Sequence, residues 1–142
     1  MIKIGLNGFG RIGRAITRIL SDSKAMRLTV VNELDRDIEN LGYLIKYDSI
    51  YGKFQKSVKT HKSKNLIQIG KNKIKFFSKK KINEVDWKKF GINLVIDATG
   101  IKQNVINSKK ILSKQLSKVI ITHSPDKIVD NTIIIGANEE TY

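Results

Sequence analysis

The chain alternates between short apolar runs and stretches with helical spacing. Ile2 to Leu6 reads as an apolar strand, and Ile12 to Leu20 reads as an amphipathic helix. Arg27 to Val31 is a β-branched strand, and Asp37 to Tyr47 a second helix. Asp37 is placed to cap that helix, with Ile38, Leu41, Leu44 and Ile45 on one face. After a loop over 48–53 the rhythm changes to short strands at Lys56 to Thr60, Leu66 to Ile69 and Ile74 to Phe77. Turn residues at Ser63-Lys64-Asn65 and Gly70-Lys71-Asn72 separate these strands, so an antiparallel excursion is expected here. Trp87 and Phe90 are expected to cover an edge of the core. Asn93 to Ala98 is almost continuously apolar, as befits a strand buried on both faces of a parallel sheet. A helix over Asn104 to Leu116 follows, with Val105, Ile106, Ile111 and Leu112 as its apolar positions. Strands at Val119 to Ile121 and Thr132 to Ile135 close the pattern. This order predicts one α/β domain over 1–142, of Rossmann type: doubly wound, mainly parallel, with a small antiparallel excursion.

The first strand runs directly into Gly8-x-Gly10-x-x-Gly13, and a helix follows at once. Gly8 allows the tight turn, Gly10 admits close backbone approach to a pyrophosphate, and Gly13 lets helix and strand pack closely. The N–H groups and positive dipole end of the new helix then face the phosphates. Read blandly, the three glycines are only a Gly-rich turn; the strand before and the helix after supply the context the fingerprint needs. Glu33 ends the second strand, 20 positions after Gly13, at the spacing expected of a ribose-binding acid. A carboxylate there can accept both ribose hydroxyls and repels a 2′-phosphate, so it favours NAD over NADP. The loops after Leu6, Val31, Ala98 and Ile121 all fall at the carboxyl edge of the sheet, where such folds bind ligands.

Composition narrows the function classes. The 142 residues contain no cysteine, which excludes disulfides, thiolate metal sites and a cysteine nucleophile from this chain. The formal net charge is +14, mostly from lysines scattered between Lys3 and Lys127. The densest run, Lys79-Lys80-Lys81, has no interleaved aromatics, which argues for weak, salt-sensitive attraction to polyanions and not for specific nucleic-acid binding. No His and carboxylate cluster has metal-ligand spacing, so no metal site is expected. His123 lies at the ligand edge, where a hydrogen-bonded structural role outweighs a catalytic one; His61 sits in the excursion with no partner in view. No apolar run approaches the roughly 20 residues of a membrane span. The chain opens on a strand without a basic leader, so a soluble, cytoplasmic location is expected.

The segment Asn7-Gly8-Phe9-Gly10-Arg11-Ile12-Gly13-Arg14 closely resembles the N-terminal signature of the phosphorylating glyceraldehyde-3-phosphate dehydrogenase family. Tyr47-Asp48-Ser49-x-x-Gly52-Lys53-Phe54, Thr99-Gly100 and Gly136-x-Asn138 resemble further motifs of that family, in the expected order along the whole chain. The resemblance implies a tetrameric NAD enzyme that oxidises a phosphorylated aldehyde through a thioester on a catalytic Cys and passes hydride to NAD. It also implies cofactor contacts at Arg11 and Ile12, at Glu33, at Lys80 (a position usually Arg) and at Thr122 (usually Ser), with Thr99 and Gly100 flanking the cofactor. Asn7 and Asn138 are expected to hold loops in shape. Glu33 stands where the family commonly has Asp, and Lys102 where an adenine-packing Phe is frequent. Asn32-Glu33-Leu34 and Thr122-His123 look more like erythrose-4-phosphate dehydrogenase, a close relative. The family's Ser-x-x-Cys nucleophile would fall beyond Tyr142, so the catalytic domain is expected to be missing, no catalytic residue is expected here, and the chain alone should be inactive. The alternative of another class is a non-catalytic nucleotide- or nucleic-acid-binding module.

Overall fold

The computed structural model describes residues 1–125 and 129–141; Lys127 and Tyr142 lie outside them. The elements in chain order are β1 (Ile2–Asn7), α1 (Arg11–Leu20), β2 (Met26–Asn32), α2 (Ile38–Lys46), β3 (Tyr47–Asp48) and β4 (Gly52–Lys53). They continue with β5 (Val58–His61), β6 (Leu66–Ile69), β7 (Asn72–Phe77), β8 (Leu94–Asp97), α3 (Lys102–Ser108) and β9 (Lys118–Ile121). Seven strands form one sheet in the order β5-β6-β7-β2-β1-β8-β9. From β7 to β9 all pairings are parallel, and β5-β6-β7 is the antiparallel excursion. The chain builds outward from β1 to β2 and β7, then crosses to β8 on the other side of β1. The carboxyl ends of β1 and β8 are therefore the topological switch point, where such a sheet opens a crevice.

Alternation along the strands separates two cores. On one face Ile4, Leu6, Leu28, Val31, Ile74 and Phe76 pack with Leu20, Leu41 and Ile45 of α1 and α2. On the other, Val30 and Val95 pack with Ile82, Val85, Trp87, Ile92, Ile111 and Leu116. Trp87 is thus the centre of the second core and not an edge cover. Its Nε1 donates to the Ile82 carbonyl at 2.8 Å, so the ring is buried with its polar atom satisfied. The facing β1 residue is Gly5, whose place a Cβ could not share: it would lie 2.7 Å from the indole ring. Phe90 is half-buried and meets Phe77 edge-on, with ring centroids 5.3 Å apart.

Asp37 caps α2 as expected, accepting from the Glu39 and Asn40 N–H groups at 3.1 Å. The loop over 48–53 contains a two-residue pairing, β3 with β4, turned by Asp48. Asp48 accepts from the Ile50 and Tyr51 N–H groups at 2.8 and 2.9 Å, and these bonds hold its carboxyl below the usual range.

Two further expectations are corrected. The helix expected over Asn104 to Leu116 is α3, which starts at Lys102, ends at Ser108 and passes into a 3-10 turn over Lys109–Ile111. Its inner face is Asn104, Val105, Asn107 and Ser108, while Ile106 and Leu112 are exposed. Polar residues hold most of the buried face, Asn104 and Ser108 being hydrogen-bonded there, so apolar periodicity pointed elsewhere. Thr132 to Ile135 forms no strand; Ile133, Ile134 and Ile135 are 43%, 62% and 91% exposed. An apolar run becomes a strand only where a ladder and a covering layer receive it, and among the described residues this one has neither. Asn138 shapes this segment as expected, accepting from the Ile134 N–H at 2.6 Å and donating to the Thr132 carbonyl at 2.8 Å.

Candidate cofactor-binding site

At the switch point a cleft of about 200 Å³ opens between the loops that follow β1, β2, β7 and β8. Gly8, Gly10, Glu33, Lys80 and Thr99, all singled out from the sequence, line it. Each glycine meets a different constraint. Gly8 has φ +94°, and a Cβ on it would lie 2.9 Å from the backbone of Ala98 and Thr99, so it lets the β1 and β8 loops touch. A Cβ on Gly13 would sit 2.1 Å from the Gly8 carbonyl oxygen, so only glycine lets α1 begin this close to the loop. At Gly10, apart from its chain neighbours, no described atom comes within 4 Å of the place a Cβ would take, so the protein itself does not crowd this position.

Gly10 is also the N-cap of α1, where no side chain caps the helix and no acidic residue stands in the first turn. The first helical bond is from the Arg14 N–H to the Gly10 carbonyl, at 2.9 Å. The N–H groups of Arg11, Ile12 and Gly13 precede it and have no carbonyl within the helix to meet them. Such an end suits a phosphate. Arg11 and Ile12 stand exposed at this helix start, outside the cleft lining.

Glu33 is half-buried and already bonded. Its Oε2 accepts from the Phe9 N–H at 2.7 Å, and its Oε1 from the Leu34 and Asp35 N–H groups at 2.7 and 3.2 Å. A carboxylate has about four acceptor sites, so these three bonds leave one, on Oε2. The two ribose hydroxyls expected from the sequence narrow to one full acceptor site. Leu34 and Ile101, both exposed and apolar, line the cleft. Lys79 and Lys80 are exposed at its rim. Gly100 (φ +71°) and Thr122 lie beside the cleft without lining it. Thr122 is bonded to β8 instead, its N–H and Oγ1 donating to the Asp97 carbonyl at 3.0 and 3.2 Å.

Beneath the cleft runs a polar chain that periodicity could not reveal. The Lys79 N–H donates to Asn32 Oδ1 at 2.8 Å, and Asn32 Nδ2 donates to the Lys79 carbonyl at 2.9 Å and to Asn7 Oδ1 at 2.7 Å. Asn7 Nδ2 donates to Asp97 Oδ1 at 2.9 Å. Asn7 therefore holds loops in shape, as expected. Asp97 is fully buried, and that burial is the main cause that raises its carboxyl above the usual range; bonds from Thr99 and Asn7 oppose it. The only sequence signal was position: polar residues at the carboxyl ends of apolar strands. A larger hollow of about 300 Å³ lies at the opposite ends of β1 and β2, over Leu20, Leu28, Ile69 and Ile74. It has no helix start or carboxylate directed into it. No group of three or more metal-ligating side chains occurs among the described residues, and no described helix is long and apolar enough to cross a membrane.

Residues 2–105 match the family described as glyceraldehyde 3-phosphate dehydrogenase, NAD binding domain. The chain belongs to this family. NAD is therefore the cofactor of the fold, and the cleft's open helix start and carboxylate fit its pyrophosphate and ribose. Relatives include glyceraldehyde-3-phosphate dehydrogenase 1 of Kluyveromyces lactis, 36% identical over all of this chain and 42% of the yeast protein. The Thermotoga maritima enzyme is 39% identical over 99% of this chain and 41% of its own length. Glyceraldehyde-3-phosphate dehydrogenase 1 of Bacillus cereus is 32% identical over the whole chain and 41% of its own. The chain thus spans about two-fifths of the length of these relatives. All three relatives carry the glyceraldehyde-3-phosphate dehydrogenase name, and none of the three is named as an erythrose-4-phosphate dehydrogenase or a nucleic-acid-binding protein.

Proposed function

We propose that residues 1–142 form one NAD-binding domain, the cofactor-holding portion of a phosphorylating glyceraldehyde-3-phosphate dehydrogenase. The observation that carries this reading is the meeting, at the switch point, of an uncapped helix start with a carboxylate at the end of the neighbouring strand. Gly8, Gly10 and Gly13 shape the seat of the pyrophosphate, and the N–H groups of Arg11 and Ile12 donate to it. Glu33 accepts from one adenosine ribose hydroxyl. Leu34 and Ile101 pack on the adenine in place of the missing aromatic, and Lys79 and Lys80 raise the local anion concentration. Thr99 and Gly100 flank the cofactor, and Thr122 lies beside it.

When bound, NAD supplies the hydride acceptor for oxidation of an aldehyde. The protein's own part here is binding and orientation. A thioester step requires a thiol nucleophile, and these 142 residues contain none. The chain alone therefore binds NAD without dehydrogenase activity; aldehyde oxidation belongs to a longer, cytoplasmic, homotetrameric protein that takes the phosphorylated aldehyde. Calorimetry with NAD and NADP, together with an activity assay, tests this. Saturable binding that favours NAD, with no turnover, is expected; no binding, or equal affinity for both dinucleotides, refutes it.

A further inference from the structure

Asp97 combines three features. It is 0% exposed, its Oδ2 has no hydrogen-bond partner among the described residues, and burial works against its charge. The His123 imidazole, whose charge would favour the carboxylate, has both nitrogens shielded and unpartnered among the described residues. A carboxylate in this setting is a poor stabiliser of the fold. It is, however, the one member of the polar chain that only accepts. The Thr99 Oγ1 proton is committed to Asp97 Oδ1 at 2.8 Å, and the same hydroxyl oxygen accepts from the Ile101 N–H at 3.1 Å and from Asn104 Nδ2 at 3.2 Å. One donor and two acceptor sites are all that a hydroxyl has. The Thr99 side chain is therefore saturated within the protein, and it acts on a cofactor by shaping the loop, not by bonding. From the other side Asn7 Nδ2 donates to the same Asp97 Oδ1 at 2.9 Å. The loop that cradles phosphate and the loop that follows β8 thus meet on a single carboxylate oxygen, at the place where Gly8 removes the clash between them.

We infer that Asp97 is a positioning residue for the cofactor: its carboxylate fixes Thr99 and Asn7, and through them the spacing of the β1 and β8 loops, at the expense of stability. The inference rests on the NAD-binding reading above. Asp97→Asn keeps the acceptor at Oδ1 and removes the buried charge. It replaces charge-assisted bonds, roughly twice as strong as neutral ones, with weaker bonds. Stability and affinity then move in different directions, which a merely structural residue would not allow.

The test is NAD calorimetry and urea unfolding at pH 7 on the wild-type chain, Asp97→Asn, Thr99→Val and the double variant. Asp97→Asn is expected to unfold at the same or a higher urea concentration while binding NAD about five- to tenfold more weakly. Thr99→Val weakens binding as well, and the double variant is no weaker than the weaker single, because both changes remove one pathway. Wild-type affinity in Asp97→Asn, a loss of affinity matched by a loss of stability or by failure to fold, or additive effects in the double variant each overturn the assignment. Absence of NAD binding by the wild-type chain instead removes the reading on which it rests.

Discussion

Replacing Glu33 with Gln probes the site most sharply, because the two side chains share shape and differ in what each oxygen can accept. The carboxylate receives N–H groups on both oxygens: Phe9 on one, Leu34 and Asp35 on the other. An amide has one oxygen, so in either orientation its NH₂ group faces a backbone donor. If the NH₂ turns to Phe9, the 2.7 Å bond that ties the phosphate loop to β2 is lost; if it turns to Leu34, two bonds on that side are lost. The surviving bonds become neutral ones. Hydrogen bonds to charged groups contribute about 1.5–3 kcal/mol and neutral ones about 0.5–1.5. The loop is therefore released by roughly 2 kcal/mol, equivalent to a roughly 30-fold loss of NAD affinity. The charge that repels a 2′-phosphate disappears at the same time. Calorimetry of the variant with both dinucleotides should show NAD weakened by about this factor, with the preference for NAD over NADP reduced. Unchanged NAD affinity, or an undiminished preference, would refute the role given to Glu33.

The glycines separate folding from binding. Gly10→Leu should leave the unfolding midpoint near wild type, since nothing crowds that position, and should abolish NAD binding in calorimetry. Gly13→Ala, by contrast, forces a Cβ to 2.1 Å from the Gly8 carbonyl oxygen, and should destabilise the fold by about 2 kcal/mol or more in urea unfolding. Trp87→Ala removes the centre of the second core and should cost about 3–5 kcal/mol by the same assay. Asp97 should also shape the pH dependence of stability. Its folded pKa lies above the usual 3.8, so its contribution is full below that value and is lost as pH rises through the folded pKa. The stability of Asp97→Asn relative to wild type should therefore be greater at pH 7 than at pH 4 in denaturant titrations.

Much of the fold was legible because tertiary structure and local pattern agree in it. The strand-glycine-helix opening, the Asp37 cap and the apolar run before Asp97 each satisfy one simple rule. The antiparallel excursion was legible from alternation and turn residues. Polar burial was not. Asn104, Asn107 and Ser108 face the protein interior on α3, so apolar spacing favoured Ile106 and Leu112 and extended the helix too far. Asn7, Asn32 and Asp97 are strand-terminal polar residues whose importance comes from meeting one another across three strands, which no single stretch of sequence displays. In the candidate site, Gly8, Gly10, Glu33, Lys80 and Thr99 came together as expected. The Glu33 carboxylate differs from the simple expectation because it lies close enough to three N–H groups to serve the protein before any ligand.

We propose above all that NAD lies in the cleft at the carboxyl ends of β1 and β8. A titration of the ¹⁵N-labelled chain with NAD, followed by amide shifts, tests it most directly. Gly8, Gly10, Glu33 and Thr99 should move together along one saturable curve while Met26 and Lys71, beside the opposite hollow, stay still. Shifts concentrated at Met26 and Lys71, or none at Gly10, would contradict it.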